Sequence, residues 1–253
     1  MRSPRARSGA TGSGKLLGVI PIPSTATSVI VAVNIALYAI SWYMTVSLTS
    51  GFNAPSAMGG ISIEALMHLG AKSPDILLAG QWWRLVTAIF LHASLMHIGF
   101  NLWCLFDLGP EVESLFSTTK FIVFFLVSGV AGFMLSLWWS PFGVSVGASG
   151  AILGLIGVLI GASFHHGHLG KEYRNQLLRW VLYILIFGLF FHGDNAAHLG
   201  GLITGVLLGY LVPEGEAESQ AGQSLWNTLA ALSTIVIAGS FALMALQIGH
   251  PYR

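Results

Sequence analysis

Long stretches without a single Asp, Glu, Lys or Arg most constrain what this chain can fold into. No such residue lies between Lys15 and Glu64, between Arg84 and Asp107, or between Lys120 and Lys171. Further stretches run from Arg179 to Asp194, from Asp194 to Glu214 and from Glu218 to Arg253. Only 8% of the 253 residues are charged, against about a quarter in a soluble domain. That is too little charge to cover a soluble surface of this size, and mean hydropathy is +0.75. Disordered chains and nucleic-acid binders are excluded, and a lone cysteine, Cys104, excludes a disulfide-stapled domain. A formal net charge of +1 argues for no acidic partner. An all-α polytopic membrane protein remains.

A helix crosses the hydrocarbon with about 20 apolar residues. On that measure the gaps accommodate seven spans, at roughly 27–48, 94–111, 118–139, 149–165, 175–192, 195–213 and 225–248. The gap after Lys120 holds two of them, separated by the turn signal Ser140-Pro141-Phe142-Gly143. The expected organisation is a basic tail over 1–26, a six-span core over 27–213, a linker over 214–224, and a seventh helix with a short tail over 225–253. Between the first two spans, 49–93 is too long for a hairpin and reads as a partly ordered interfacial loop.

Lys and Arg set the orientation. A cytosolic N-terminus puts Arg2, Arg5, Arg7, Lys15, Lys120, Lys171, Arg174 and Arg179 inside, and Lys72, Arg84 and Arg253 outside. The expected location is the cell membrane, with an organellar membrane as the alternative. The tail has Arg and Ser and no acid before Glu64, so a targeting segment also fits it. Gly9 to Lys15 matches the spacing of a phosphate-binding loop, but Leu16 follows where Ser or Thr belongs, and no strand precedes it.

Polar groups inside spans are costly and mark function by default. His97 and Asn101 lie four apart on one face of the second span, Ser149 opens the fourth, and His198 lies one turn into the sixth. With the N-terminus inside, even-numbered spans start on the outer side, so all four share one depth. A serine and a histidine at one level can act as nucleophile and general base. The start of a helix around Ser149 offers unpaired N–H groups to a developing oxyanion, and His97 and Asn101 would add side-chain donors. Gly147 and Gly150 permit close backbone approach. Other readings stay open. Serine and glycine in a spanning helix usually serve packing, which is where Gly201, Gly205 and Gly209 are assigned. A lone histidine is often hydrogen-bonded to a neighbouring helix, and two on different spans could hold haem.

The motifs Trp82-Trp83-Arg84, His92 to Asn101, Gly147-Ala148-Ser149-Gly150 and Ala197-His198-Leu199-Gly200-Gly201 together resemble the rhomboid family of intramembrane serine proteases, in order and spacing, over about 27–213. That resemblance implies a six-helix core opening to the outside and a Ser149–His198 dyad. It implies an oxyanion hole from His97, Asn101 and the Ser149 N–H, a membrane-embedded first loop carrying Arg84, and a structural role for Glu113 after the second helix. It also implies transmembrane-segment substrates, and neither cofactor nor metal. The seventh span resembles a six-plus-one arrangement. Where many members carry an aromatic residue four positions after the serine, this chain has Leu153, so looser positioning of His198 is expected. Asp194 could orient His198 as a third member, or cap the sixth helix. His92 reads equally as packing or function, and the histidines at 165, 166 and 168 as a solvated loop. A pseudoprotease that binds membrane clients is the runner-up. A transporter or haem carrier would require midplane charge or a haem spectrum, and a metalloprotease lacks its H-E-x-x-H.

Overall fold

The computed structural model describes residues 15–16, 20–21, 25–48, 59–139, 143–190, 193–215 and 219–248. The Gly9-to-Gly14 part of the loop-like pattern, the Ser140-to-Phe142 turn and the C-terminal tail lie outside the described residues. Among the described residues ten α-helices carry the fold: α1 (Thr25–Leu48), α2 (Ile63–His68), α3 (Pro74–Leu78), α4 (Arg84–Thr87), α5 (Leu95–Phe116), α6 (Thr118–Trp139), α7 (Ser149–Ser163), α8 (Gly167–Phe190), α9 (Asn195–Leu211) and α10 (Gln220–Gln247). A 3₁₀ turn, Ala88–Phe90, follows α4, and a two-residue antiparallel pairing joins Lys15–Leu16 to Ile20–Pro21.

Seven long helices therefore stand near the seven expected spans, and their ends differ where charge is a poor guide to helix length. The second runs past 111, through Pro110, to Phe116. Glu113 is thus inside this helix rather than after it. The fifth begins at Gly167, since a helix carries Lys171, Glu172 and Arg174 beyond an apolar region without difficulty. The fourth stops at Ser163, where Phe164 to His166 turn and Gly167 takes a positive φ of 57°. The seventh starts earlier, at Gln220, because the Ser219 side chain caps it by accepting from Gly222 N–H at 3.1 Å. Among the described residues, three helices are long and apolar enough to cross a membrane alone, within Ala26–Leu48, Thr118–Trp139 and Gln220–Gln247. α7 and α9 are apolar but shorter. α7 has every residue from Gly150 to Ser163 buried, so protein rather than lipid surrounds it.

α7 is the axis of the molecule, and it lies against α9 with backbone touching backbone. A Cβ on Gly201 would come within 1.9 Å of the Gly150 carbonyl oxygen, and one on Gly205 within 1.9 Å of the Gly154 carbonyl. Gly209 stands in the same relation to Val158, also at 1.9 Å. Small residues in this register let two helices approach where lipid offers no hydrophobic drive between them. α6 closes the other side, with Gly132 beneath the Ala197 carbonyl. α10 rests on α6 and on the α4 region, through Phe124–Trp226 and Phe90–Phe241 ring contacts at 5.9 and 5.3 Å.

Glu113 ties three helices together. It is buried, and its Oε1 accepts from Thr27 N–H at 2.9 Å and Thr27 Oγ1 at 2.7 Å, both in the first turn of α1. Oε2 accepts from Thr118 Oγ1, at the start of α6, at 2.8 Å. Hydrogen bonds to a charged partner contribute roughly 1.5–3 kcal/mol each, and a buried donor left alone costs more. Glu113→Ala should therefore destabilise the fold by on the order of 3 kcal/mol. A thermal scan in detergent that finds the variant as stable as wild type would contradict this.

The described part of the first loop, 59–93, is more ordered than an interfacial loop. Three short helices and the 3₁₀ turn fold back on the bundle, and much of the segment is buried. Lys72 and Arg84, expected outside, have buried side chains. Arg84 Nε donates to Gln81 Oε1 at 2.7 Å, and Nη1 to the Met67 and Ala71 carbonyls at 2.8 and 3.2 Å. The guanidinium lies 4.8 Å from the Trp83 ring centre. Arg84 thus gathers the end of α2 and the turn after it onto α4, which explains its place beside two tryptophans as scaffolding.

Candidate active site

The helix that carries Ser149 begins abruptly. Gly147, with φ of 131°, reverses the chain, and its N–H donates to the Ala88 carbonyl at 2.9 Å. A second tie holds the approach: Lys72 and Ser145 exchange both backbone hydrogen bonds, at 3.1 and 3.0 Å. Ser149 is the first residue of α7, so its N–H and those just after it have no carbonyl partner within the helix.

α9 brings His198 opposite. The glycine register places Gly150 against Ala197 and Gly201, so the residues flanking that contact must meet. His198 Nε2 lies 2.8 Å from Ser149 Oγ, and His198 is buried. Its other ring nitrogen, Nδ1, lies 3.0 Å from Asn195 Oδ1. Asp194 does not make that contact. Its carboxylate caps α9, accepting from Ala197 N–H at 3.0 Å, and takes the Ser136 hydroxyl on its other oxygen. Ser136 in turn accepts from Lys72 Nζ at 3.0 Å. Burial pushes the Lys72 ammonium below its ordinary pKa, and the Asp194 carboxylate opposes that shift.

His97 and Asn101, from the first turns of α5, line the same cavity of about 1020 Å³ as Ser149 and His198. Both point at the glycine before the serine. A Cβ on Gly147 would lie 2.6 Å from His97 Nε2 and 3.7 Å from Asn101 Nδ2, so a side chain there would fill the space where these donors converge. Ala93 N–H faces His97 Nδ1 at 3.5 Å, which favours the proton on Nε2. Asn101 Nδ2 is buried and makes no hydrogen bond with the described residues. A buried N–H donor without a partner is costly, and this one faces the cavity. His92 packs edge-on against His97, with ring centres 5.1 Å apart.

The structure thus gathers Ser149, His198, His97, Asn101 and Gly147 around one cavity, sets Gly150 in the backbone contact with α9 beside it, and leaves Arg84 and Glu113 in scaffolding positions. Leu153 is buried and also lines the cavity. Away from this region, His166 pairs with Glu214 at 2.6 Å and His165 Nε2 meets the Tyr210 carbonyl at 3.0 Å. Sequence reasoning did not single out Asn195, Lys72 or Ser136. For Asn195 the only available signal was its position three residues before a histidine at a helix start.

Fold and site together define a helical bundle with a serine–histidine pair set into a cavity among its helices. The Rhomboid domain family model matches residues 79–215. Rhomboid protease GluP of Bacillus subtilis (strain 168) is 35% identical over 156 residues, covering 58% of this chain and 29% of that protein. Rhomboid-like protease 3 of Toxoplasma gondii is 33% identical over 198 residues, covering 75% of this chain and 74% of the relative. Rhomboid protease AarA of Providencia stuartii is 31% identical over 169 residues, with 56% and 60% covered. The chain spans well under half the length of the first of these and most of the second. The chain belongs to the rhomboid family and is an all-α polytopic membrane protein.

Proposed function

We propose that this protein is an intramembrane serine endopeptidase that hydrolyses peptide bonds in or beside the transmembrane segments of other membrane proteins. The observation that carries the reading is the 2.8 Å contact between Ser149 Oγ and His198 Nε2 inside a cavity within a membrane protein. The relatives named as proteases support the reaction class.

His198 Nε2 takes the hydroxyl proton as Ser149 Oγ attacks the substrate carbonyl carbon. The charge that develops on the carbonyl oxygen is met by Asn101 Nδ2, His97 Nε2 and the Ser149 N–H. The imidazolium then gives its proton to the leaving nitrogen as the C–N bond breaks, leaving an ester on Ser149. Water, deprotonated by the same imidazole, attacks that ester; the acyl C–Oγ bond breaks, the imidazolium returns the proton to Ser149 Oγ, and the carboxyl product is freed. The nucleophile, base and amide donor carry no net charge in the resting site, which suits a cavity among apolar helices. The catalytic core is 27–213, with α10 (Gln220–Gln247) an added helix, and the N-terminus faces the cytosol so that the site opens towards the outer face.

Purified full-length protein in detergent should be labelled by a fluorophosphonate at Ser149 and should cut a model transmembrane substrate. Cleavage by Ser149→Ala at a rate near wild type would sink the reading, and intact client capture without labelling would point to a pseudoprotease. Asn101→Ala should lower kcat by roughly 10²–10³-fold, since it removes one oxyanion donor. An unchanged rate removes Asn101 from that role.

A further inference from the structure

Asn195 stands in the first turn of α9, and neither the dyad nor the oxyanion donors account for it. We propose that Asn195 is a positioning residue that locks His198 in the tautomer and ring orientation needed to accept the Ser149 proton. The proposal rests on the reading of the site as a serine protease.

The Leu185 carbonyl on α8 can only accept a hydrogen bond, and the Asn195 amide meets it at 3.1 Å. The end of the amide facing Leu185 is therefore Nδ2, which donates. The other end is then Oδ1, which has no hydrogen to give and lies 3.0 Å from His198 Nδ1. Nδ1 must carry the proton. A neutral imidazole protonated at Nδ1 has its lone pair on Nε2, the atom 2.8 Å from Ser149 Oγ. When His198 becomes imidazolium, Nδ1 still donates to the same oxygen, so one contact serves both protonation states.

The surroundings fix this arrangement. Asp194, the neighbouring carboxylate, is committed to the Ala197 N–H and to Ser136. An amide orients the base without adding a second charge beside it. On α8, Gly188 leaves the space that Asn195 occupies, because a Cβ there would fall 2.3 Å from Asn195 Oδ1. A base oriented by a third group is the general form of an activated serine nucleophile.

The test compares wild-type full-length protein with Asn195→Ala, Asn195→Asp and Gly188→Ala. Two quantities are read: the rate of fluorophosphonate labelling of Ser149, and kcat and KM on a transmembrane substrate. Asn195→Ala should slow labelling and lower kcat by about 10–100-fold, the usual effect of removing an orienting partner, with KM within about twofold. Asn195→Asp keeps an acceptor against Nδ1 but sets a carboxylate oxygen against the Leu185 carbonyl, so it should recover part of the labelling rate and remain faster than Asn195→Ala. Gly188→Ala should slow labelling because its methyl displaces Asn195. Labelling of Asn195→Ala at the wild-type rate, or Asn195→Asp no faster than Asn195→Ala, overturns the proposal. Where Asn195→Ala does not fold, Gly188→Ala decides, and a wild-type labelling rate there overturns it. Wild-type protein that is neither labelled nor active would instead overturn the protease reading on which this rests.

Discussion

Ser149→Ala and His198→Ala should each lower kcat by about 10⁴-fold or more, and the double variant should be no slower than either single one. Non-additivity is the informative part. The imidazole acts on substrate only through the Ser149 proton, at 2.8 Å, so removing either partner removes the whole nucleophilic step. Activity that remains in any of the three variants must come from the oxyanion donors, which none of them touches. Substrate binding does not depend on the proton transfer, so KM should change little. Measured kcat values for wild type, both single variants and the double variant check this. Two single losses that multiply in the double variant would mean that Ser149 and His198 act independently, which the shared hydrogen bond does not allow.

The sequence announced this pair through cost. An imidazole and a hydroxyl in charge-free helices stand out because lipid makes polar groups expensive, and span parity put them at one depth. The same contrast located the helices, and α6 occupies the expected 118–139. Helix ends were legible where the apolar run and the helix stop together, and not where a helix carries polar residues beyond the apolar run. α8 runs eight residues before its expected start because Lys171 and Arg174 limit the membrane, not the helix. Within the loop, helices of four to six residues have no periodicity to read, and the bonds that order them, such as Arg84 to Met67, span 17 positions. Lys72 looked like a solvent-facing charge and is buried on Ser136, 64 residues away. Asn195 was hidden for a different reason. An asparagine beside an N-cap has a sufficient local explanation, and its contact with Leu185 depends on how α8 returns against α9.

Gly201→Val should disable both the fold and the site, while Gly209→Ala should affect mainly the fold. Both positions press on a backbone carbonyl of α7, Gly150 and Val158 respectively, at 1.9 Å for an added Cβ. An ordinary carbon contact needs about 3.5 Å, so the helices must part locally by more than an ångström. Overpacking of this kind costs typically 1–3 kcal/mol, and a backbone carbonyl has no rotamer by which to yield. The consequences for chemistry differ along the helix. Gly201 is three residues from His198, and Gly150, which it touches, is next to Ser149. Separation there lengthens the 2.8 Å hydrogen bond directly, and a misplacement of 1 Å lowers a rate by about 10²-fold. Gly209 lies eleven residues beyond His198, about 16 Å along the helix, where a local bulge need not reach the dyad. Thermal stability should fall in both variants. The labelling rate of the folded fraction should collapse in Gly201→Val and stay within about tenfold of wild type in Gly209→Ala, since only the first widens the helix pair at the reacting atoms. Equal loss of labelling in the two would mean that α7 and α9 move as rigid rods, and that the glycine register sets the Ser149–His198 distance along its whole length.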